Sequence, residues 1–306
     1  MNISLSKVID GYFLAANARR LSEATLKDYG NTFRKFESHL GKDPPMGDIT
    51  ADHIRGFLAV QNVSKKTLLN YHIGLSALWT WALDENLVSE HTVRKVQRPR
   101  PEKKAVKPYR ESDIKALLSA LRYSRPYHRP GKQETTHRLP FKERNRALIL
   151  LLVDTGIRAS ELCDIKIHHV DLKGRYIRVM GKGDKERIVP FSARTGKALW
   201  RYLATRDRDN LGDPLFERRD NQPFDRSSLL KTLKVICKRA GVRGVNIHRF
   251  RHTFAINYLR NGGDPWSLQM MLGHATLEMV KKTLALANAD LQKNHRIASP
   301  VDHWRL

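Results

Sequence analysis

The stretch that decides the reading is "IHRFRHTFAINYLRNGG", residues 247–263, followed directly by "DPWSLQMMLGHATLEMVKKTLALANADL", residues 264–291. His248 and Arg251 stand three residues apart, so on a helix they project from one face and can converge on a single oxyanion. Asp264 is placed to cap the next helix, Pro265 to occupy its first position and Gly273 to break it, which leaves His274 in a corner. A further helix is predicted from Thr276 or Leu277, with Leu277, Val280, Leu284 and Leu291 as its buried stripe and Thr283 on its flank.

The chain around this stretch has 306 residues, 41% of them hydrophobic, with five Trp and ten Phe, which is enough to fill two cores. It carries 56 Lys and Arg against 31 Asp and Glu, a formal charge of +25. An excess spread over folded sequence, not confined to a tail, points to a polyanionic partner, with nucleic acid first. The plainer readings are a merely soluble basic protein or a binder of anionic membranes. Cys163 and Cys237 are isolated in apolar helices, which fits reduced thiols better than a disulfide framework or a zinc site. No apolar run approaches a membrane span and the N-terminus lacks the apolar core of a signal peptide, so a cytoplasmic protein without a membrane partner is expected.

Upstream, one helix is predicted from Ile3 to about Arg19 and another from Ser22, where Leu26, Tyr29, Phe33, Phe36 and Leu40 recur at steps of three and four until Gly41. Thr50 caps a short helix with Ile54, Phe57 and Leu58 inward. Ser64 caps a longer one with Leu68, Tyr71, Leu75, Leu78 and Ala82 inward. This four-helix unit, residues 1–93, carries Lys27, Arg34, Lys35, Lys65 and Lys66 on polar faces, where they either lie along a phosphate backbone or form an ordinary solvated surface. Residues 94–110, "RKVQRPRPEKKAVKPYR", are rich in Pro and basic residues and read as an extended linker. Arg98, Arg100, Lys103 and Lys104 make it a further DNA-contact candidate, joining two basic domains as a clamp around a duplex.

The second domain, 111–306, opens with a helix on Ile114, Leu117, Leu118 and Leu121 and continues through "RYSRPYHRPGKQETTHRLPFKER", a long basic loop without periodicity. "NRALILLLVDTG" is apolar on every side and belongs at the centre of the second core. It stops at Gly156, and Ser160 is expected to cap the next helix, "SELCDIKI". Arg158 between them needs a partner: a phosphate, or else Glu161 or Asp164 as a structural pair. "RYIRVMGKGDKERIVPF" reads as a hairpin with Lys182 at its tip, and its spacing fits neither the P-loop nor the dinucleotide fingerprint. Leu229 to Arg239 forms another amphipathic helix. The fold class is therefore mainly α, with a small antiparallel sheet in the second domain.

In order, "TGIRASEL", "GKGDKERIVP", "IHRFRHTFA" and "MLGHATLEM" resemble the active-site blocks of the tyrosine recombinase, or phage integrase, family, in the two-domain Xer/Cre-like form. The resemblance covers the second domain, and the N-terminal unit suits the family's core-binding domain. It implies site-specific DNA strand exchange by transesterification through a 3′-phosphotyrosyl link, without metal or nucleotide cofactor. Arg158 and Arg251 would hold the two non-bridging phosphate oxygens, and Lys182 would protonate the departing 5′ oxygen. His248 would accept the nucleophile's proton or position the phosphate, and His274 would bond a non-bridging oxygen. Glu161 resembles the acidic residue that supports the first arginine and a histidine, whereas His252 has a packing role. The partners implied are double-stranded DNA with an inverted-repeat site and further copies of the chain, as dimers and tetramers on DNA. The apolar tail from Asp290 would pack on a neighbour or fold back in cis.

The sequence departs from the family at the nucleophile. The tyrosine is expected nine residues after the histidine of "LGH", and that position is Thr283; no tyrosine follows Tyr258. A threonine hydroxyl is shorter than a phenol and far less acidic than tyrosine at about 10, so it is a poorer nucleophile and leaving group. The chain as written is expected to bind DNA without forming the covalent link. Three accounts of Thr283 stay open: a deliberate disabling substitution, a natural inactive paralogue that serves as a DNA-binding pseudo-recombinase, or a nucleophile from elsewhere such as Tyr258. A relaxing activity like that of type IB topoisomerases and general RNA binding are the remaining readings.

Overall fold

A computed structural model describes residues 3–102, 106–124, 126, 131, 133, 135–181, 186–206 and 210–273. Lys103, Lys104, Lys182, His274 and Thr283, and with them the helix expected from Thr276 and the tail from Asp290, lie outside the described residues. The chain divides into two compact units, Met1–Ala105 and Val106–Leu306.

The first unit is built from α1 (Leu5–Ala18), α2 (Glu23–Leu40), α3 (Ala51–Ala59) and α4 (Lys65–Asp84). The expected caps set its boundaries: Ser22 and Ser64 accept from the Thr25 and Thr67 amides, at 3.3 and 3.2 Å, and the Thr50 amide donates to His53 Nδ1 at 3.1 Å. Gly41 closes α2 in the left-handed region, at φ 65°. Phe33, Phe36, Ile54, Phe57, Leu75, Leu78 and Trp79 fill the core, and Val93 and Val96 join it from beyond α4. Arg55 ties that trailing segment down by donating to the Lys95 carbonyl at 3.2 Å.

The second unit contains α5 (Glu111–Ser119), α6 (Lys142–Thr155), α7 (Ala159–Asp164), β1 (Val170–Asp171), β2 (Tyr176–Met180), β3 (Glu186–Pro190), α8 (Ala193–Leu203), α9 (Arg226–Ala240), α10 (Ile247–Arg260) and α11 (Pro265–Leu272). The three strands form one antiparallel sheet in the order β1-β2-β3, with Ile177 opposite Val189 and Val179 opposite Arg187. The mainly helical architecture with a small antiparallel sheet is the one the sequence led us to expect. Helix α6 is the hub: Ala147, Leu148, Leu151 and Leu152 are fully buried, and it packs against both α8 and α10. Helix α10 is fastened to the start of the unit. The Tyr109 amide donates to Thr253 Oγ1 at 2.8 Å, its ring centroid is 4.6 Å from that of Phe250, and the Arg249 guanidinium lies 3.9 Å from the Tyr109 ring centroid.

Two expectations need correction. Ser160 does not cap α7, which starts at Ala159 with Arg158 at the cap position. The Glu161 carboxylate reaches back to the Arg158 amide at 2.7 Å, which satisfies an orphan donor and starts the helix two residues earlier. Nor does that helix run to Ile167: it ends at Asp164, because the Ile165 carbonyl accepts from the Leu215 amide at 2.7 Å and Lys166 pairs with Pro214. The long basic loop is pinned at its base by an antiparallel bridge between Tyr123 and Arg138. Strand β1 and helix α8 are additions to the sequence reading. Ser192 caps α8, and Asp154 at the end of α6 accepts from both the Ser192 amide and Thr195 Oγ1, at 2.7 and 2.6 Å.

Gly156 ends α6 in the left-handed region, at φ 61°, and a Cβ there would lie 2.5 Å from Phe254 Cδ1. Gly156→Ala therefore combines left-handed strain with overpacking, and we expect it to lower the unfolding free energy by about 2 kcal/mol or more, read by urea denaturation.

Candidate active site

Helix α10 is capped by Asn246, whose side chain accepts from the His248 amide at 2.9 Å, and its first turns carry His248 and Arg251. Arg251 spans two helix ends: Nη1 donates to the Gly156 carbonyl at 3.0 Å and Nη2 to that of Leu272 at 2.6 Å. Arg158 Nη2 donates to the Gly273 carbonyl at 3.0 Å. Arg187 Nε donates to the Met271 carbonyl at 2.8 Å. Three guanidiniums thus take the three successive carbonyls 271–273. A helix leaves its last carbonyls without intrahelical partners and carries partial negative charge there, so the end of α11 is a natural seat for cations. Gly273, at φ 60°, turns the chain at this point.

Glu161 holds two of these arginines together. Its Oε1 accepts from Arg158 Nη1 at 2.7 Å and Arg187 Nη1 at 2.9 Å, and its Oε2 from the Arg158 amide at 2.7 Å and Arg187 Nη2 at 2.8 Å. Its side chain is only 5% exposed. Burial alone would raise its pKa, but the bonds from Arg187, the Arg158 amide and the Arg158 side chain outweigh burial and hold it at about 2. Burial, then Arg158, then Arg187 push Arg251 down to about 10, with Glu161 acting the other way, and the group stays charged at neutral pH. His248 is lowered by burial and by the positive charges of Arg251, Arg226 and Arg158, so its imidazole is neutral at pH 7 and able to accept a proton. His252 is lowered by burial, His248 and Arg251.

Three guanidiniums against one carboxylate leave the site net positive. Neither Arg158 nor Arg251 spends all its guanidinium donors on these partners, and the Arg158 side chain is 34% exposed. This arrangement can receive a tetrahedral oxyanion on fixed donors with a neutral imidazole nearby. Among the described residues, no group of three or more His, Cys, Asp or Glu side chains could hold a metal ion. The two thiols are held protonated by burial, Cys163 at about 12 and Cys237 at about 11.

The structure therefore brings together Arg158, Glu161, His248 and Arg251 of the residues read from the sequence. Among the described residues, Glu161 has Arg187 as its second partner. Arg187 was missed, although its register signals it: on β3 it shares the inward side with buried Val189, while Ile188 between them is exposed. An inward arginine requires a partner. Tyr258 packs its ring 5.6 Å from that of Phe254, as a core residue. In the first unit Lys27, Arg34, Lys35, Lys65 and Lys66 are all exposed, and Arg98 and Arg100 are exposed beyond α4. Lys35 is engaged within the unit, donating to Tyr71 Oη at 2.7 Å. No helix among the described residues is long and apolar enough to cross a membrane.

Residues 110–288 match the phage integrase family. The tyrosine recombinase XerC of Staphylococcus epidermidis is 29% identical over 292 residues, covering 92% of this chain and 93% of the relative. The XerA recombinase crystal structure is similar at a TM-score of 0.51 and 28% identity, over 96% of this chain and 99% of that one. The XerH site-specific recombinase bound to its palindromic difH substrate shares the fold, with a TM-score of 0.69 and 22% identity over 94% and 82% of the two chains.

Glu161→Gln removes the charge that compensates two guanidiniums, one of them nearly buried, and we expect it to lower the unfolding free energy by roughly 3 kcal/mol at neutral pH. The sign follows from the depressed pKa: the stabilisation is complete above the ordinary value of 4.5 and lost as pH falls through about 2. Urea denaturation of parent and variant from pH 7 downward should show curves that converge only below pH 4.5.

Proposed function

The chain belongs to the phage integrase family, and from that premise we propose that it is a site-specific DNA recombinase whose cleavage step is disabled by Thr283. The observation that carries this reading is the cluster of Arg158, Arg251 and Arg187 on the carbonyls 271–273, with His248 beside it. Such a site offers fixed positive donors to one phosphate and a neutral base to a hydroxyl, which is the requirement of a transesterification that stores the bond energy of the broken strand.

In the reaction proposed, a nucleophilic oxygen attacks the scissile phosphorus, its proton passes toward His248, and the bond to the 5′ oxygen breaks. Lys182 protonates that leaving oxygen, while Arg158 and Arg251 hold the non-bridging oxygens with His274. The product is a 3′-phosphoryl link to the protein and a 5′-hydroxyl, and attack by a partner strand reverses the step. A tyrosine at 283 would supply the phenolic oxygen for this link. Threonine falls short in reach and acidity, so the chain as written assembles on DNA and stops before cleavage. Lys27, Arg34, Lys65, Lys66, Arg98, Arg100, Lys103 and Lys104 are proposed to contact phosphates, and an inverted-repeat duplex is proposed as the site on which copies of the chain pair. The palindromic substrate of the XerH structure supports this choice of partner.

Thr283 itself favours a second reading, a natural DNA-binding pseudo-recombinase that occupies a site without cutting it. A suicide-substrate assay on nicked duplexes separates the two. We expect a covalent protein–DNA band from Thr283→Tyr and none from the chain as written. An adduct mapping to Thr283 would overturn the disabled-nucleophile account, and no band from either protein on tightly bound DNA would favour the pseudo-recombinase.

A further inference from the structure

Arg187 is the arginine of this site for which the recombination chemistry has no task. All three of its guanidinium nitrogens are engaged: Nε with the Met271 carbonyl at 2.8 Å, and Nη1 and Nη2 with the two oxygens of Glu161 at 2.9 and 2.8 Å. Its side chain is 13% exposed against 34% for Arg158. It is therefore turned away from the place a substrate would take and toward three structural elements at once. It grows from β3, forks onto Glu161 of α7 and fastens the last turn of α11.

The glycine at 273 is part of this device. A Cβ there would lie 3.2 Å from Arg187 Nη1 and 3.3 Å from its Cζ, so a side chain at 273 would press on the guanidinium. Gly273 is thus needed for its left-handed φ of 60° and also for the close approach of Arg187. Along the chain, Arg187 is five residues from Lys182 and Met271 is three residues before His274. One side chain therefore ties β3 to Glu161 of α7 and to the end of α11.

We propose that Arg187 is a positioning residue for DNA strand cleavage, acting through Glu161 and the end of α11 to fix Arg158. This inference rests on the recombinase reading above. Among the described residues, Glu161 without Arg187 would keep only Arg158 as a direct partner, and its carboxylate would become available to draw the Arg158 guanidinium off the phosphate. The site would also lose one of its three positive charges. The charged and titratable groups around Glu161 are Arg158 at the cap of its own helix, Arg187 on β3, Arg251 on α10 and Asp164 one turn on. Of these Arg187 contributes the most to keeping the carboxylate ionised, so its removal lets Glu161 take up a proton in the accessible acid range.

The test uses the full chain with Thr283→Tyr and a nicked suicide duplex. Arg187→Gln should slow single-turnover adduct formation by about 100-fold at saturating protein, while the Kd for the duplex changes by less than about 3-fold, the pattern of an interaction realised in the transition state. Arg187→Lys, which keeps the charge and loses the fork, should recover about a tenth of the rate. The pH–rate profile of Arg187→Gln should gain an acid limb absent from the parent, and adding Glu161→Gln should abolish that limb. A merely structural role would lower the folded fraction and weaken DNA binding together and leave the shape of the profile alone, and that result overturns the proposal, as does a rate within about 3-fold of the parent. If Thr283→Tyr itself forms no adduct, the recombinase reading has failed, and the inference is then judged on the chain as written. Carbon-13 carboxyl NMR should find Glu161 ionised far below the usual carboxylate range, and Arg187→Gln should restore an ordinary titration. A Glu161 that titrates ordinarily in the parent, or that Arg187→Gln leaves depressed, contradicts the inference.

Discussion

The site depends on one interaction, the capture of the orphan carbonyls at the end of α11 by arginines from three other elements. Met271, Leu272 and Gly273 present their oxygens to Arg187, Arg251 and Arg158, which come from β3, α10 and the cap of α7. In most helices these carbonyls are met by water or by the chain's own turn. Here they serve as fixed acceptors that aim guanidiniums, and the partial negative charge of the helix end offsets part of the repulsion among three cations in a small volume. Glu161 offsets more of it, and its low exposure makes the pairing costly to break from either side. A positively charged cluster of pre-aligned donors, able to receive an oxyanion without any donor having to move, follows from these constraints.

The packing behind the site serves the same end. Phe254, Leu259, Leu268 and Leu272 form a small core of their own between α10 and α11, so the carbonyls and the helix that bears His248 and Arg251 are held by the same apolar contacts. Gly156 lets Phe254 approach the end of α6 closely while its own carbonyl accepts from Arg251. Arg249, one residue from His248, donates to the Lys107 and Pro108 carbonyls at 2.8 and 3.3 Å. The point where the chain enters the second unit is thereby fastened to the helix that carries the His248–Arg251 pair.

Much of this was legible in the sequence because it depends on local rules. Caps at Ser22, Ser64 and Asp264, glycine stops at 41, 156 and 273, and the three-and-four spacing of apolar residues each fix an element within a few residues. The pairing of His248 with Arg251 is a matter of helical spacing alone. What escaped depends on contacts distant in sequence. Ser160 is the better cap by composition, yet Arg158 takes the cap position and the helix starts at Ala159, because Glu161 bonds the Arg158 amide and is itself held by Arg187, 26 residues away. Helix α8 carried its own signal, a Ser192 cap followed by inward Thr195, Leu199 and Tyr202, but it is polar on one side and is followed, among the described residues, by a long segment without helix or strand before α9. Arg187 stood within a block already singled out. Its importance shows only when the two-residue period of the strand is read together with the buried carboxylate it meets.

The most direct test of the central claim, that this cluster grips one phosphate of a duplex, is a double-mutant cycle between the protein and the DNA. A single neutral methylphosphonate replaces the phosphate at the cleavage position, and binding is measured by titration calorimetry for the chain as written and for Arg251→Ala. If the cluster holds that phosphate, Arg251→Ala weakens binding to the natural duplex by about 10-fold or more and has little effect on the neutral one, a coupling of roughly 1.4 kcal/mol or above. If the two changes simply add, Arg251 does not meet that phosphate and the account of the site is wrong.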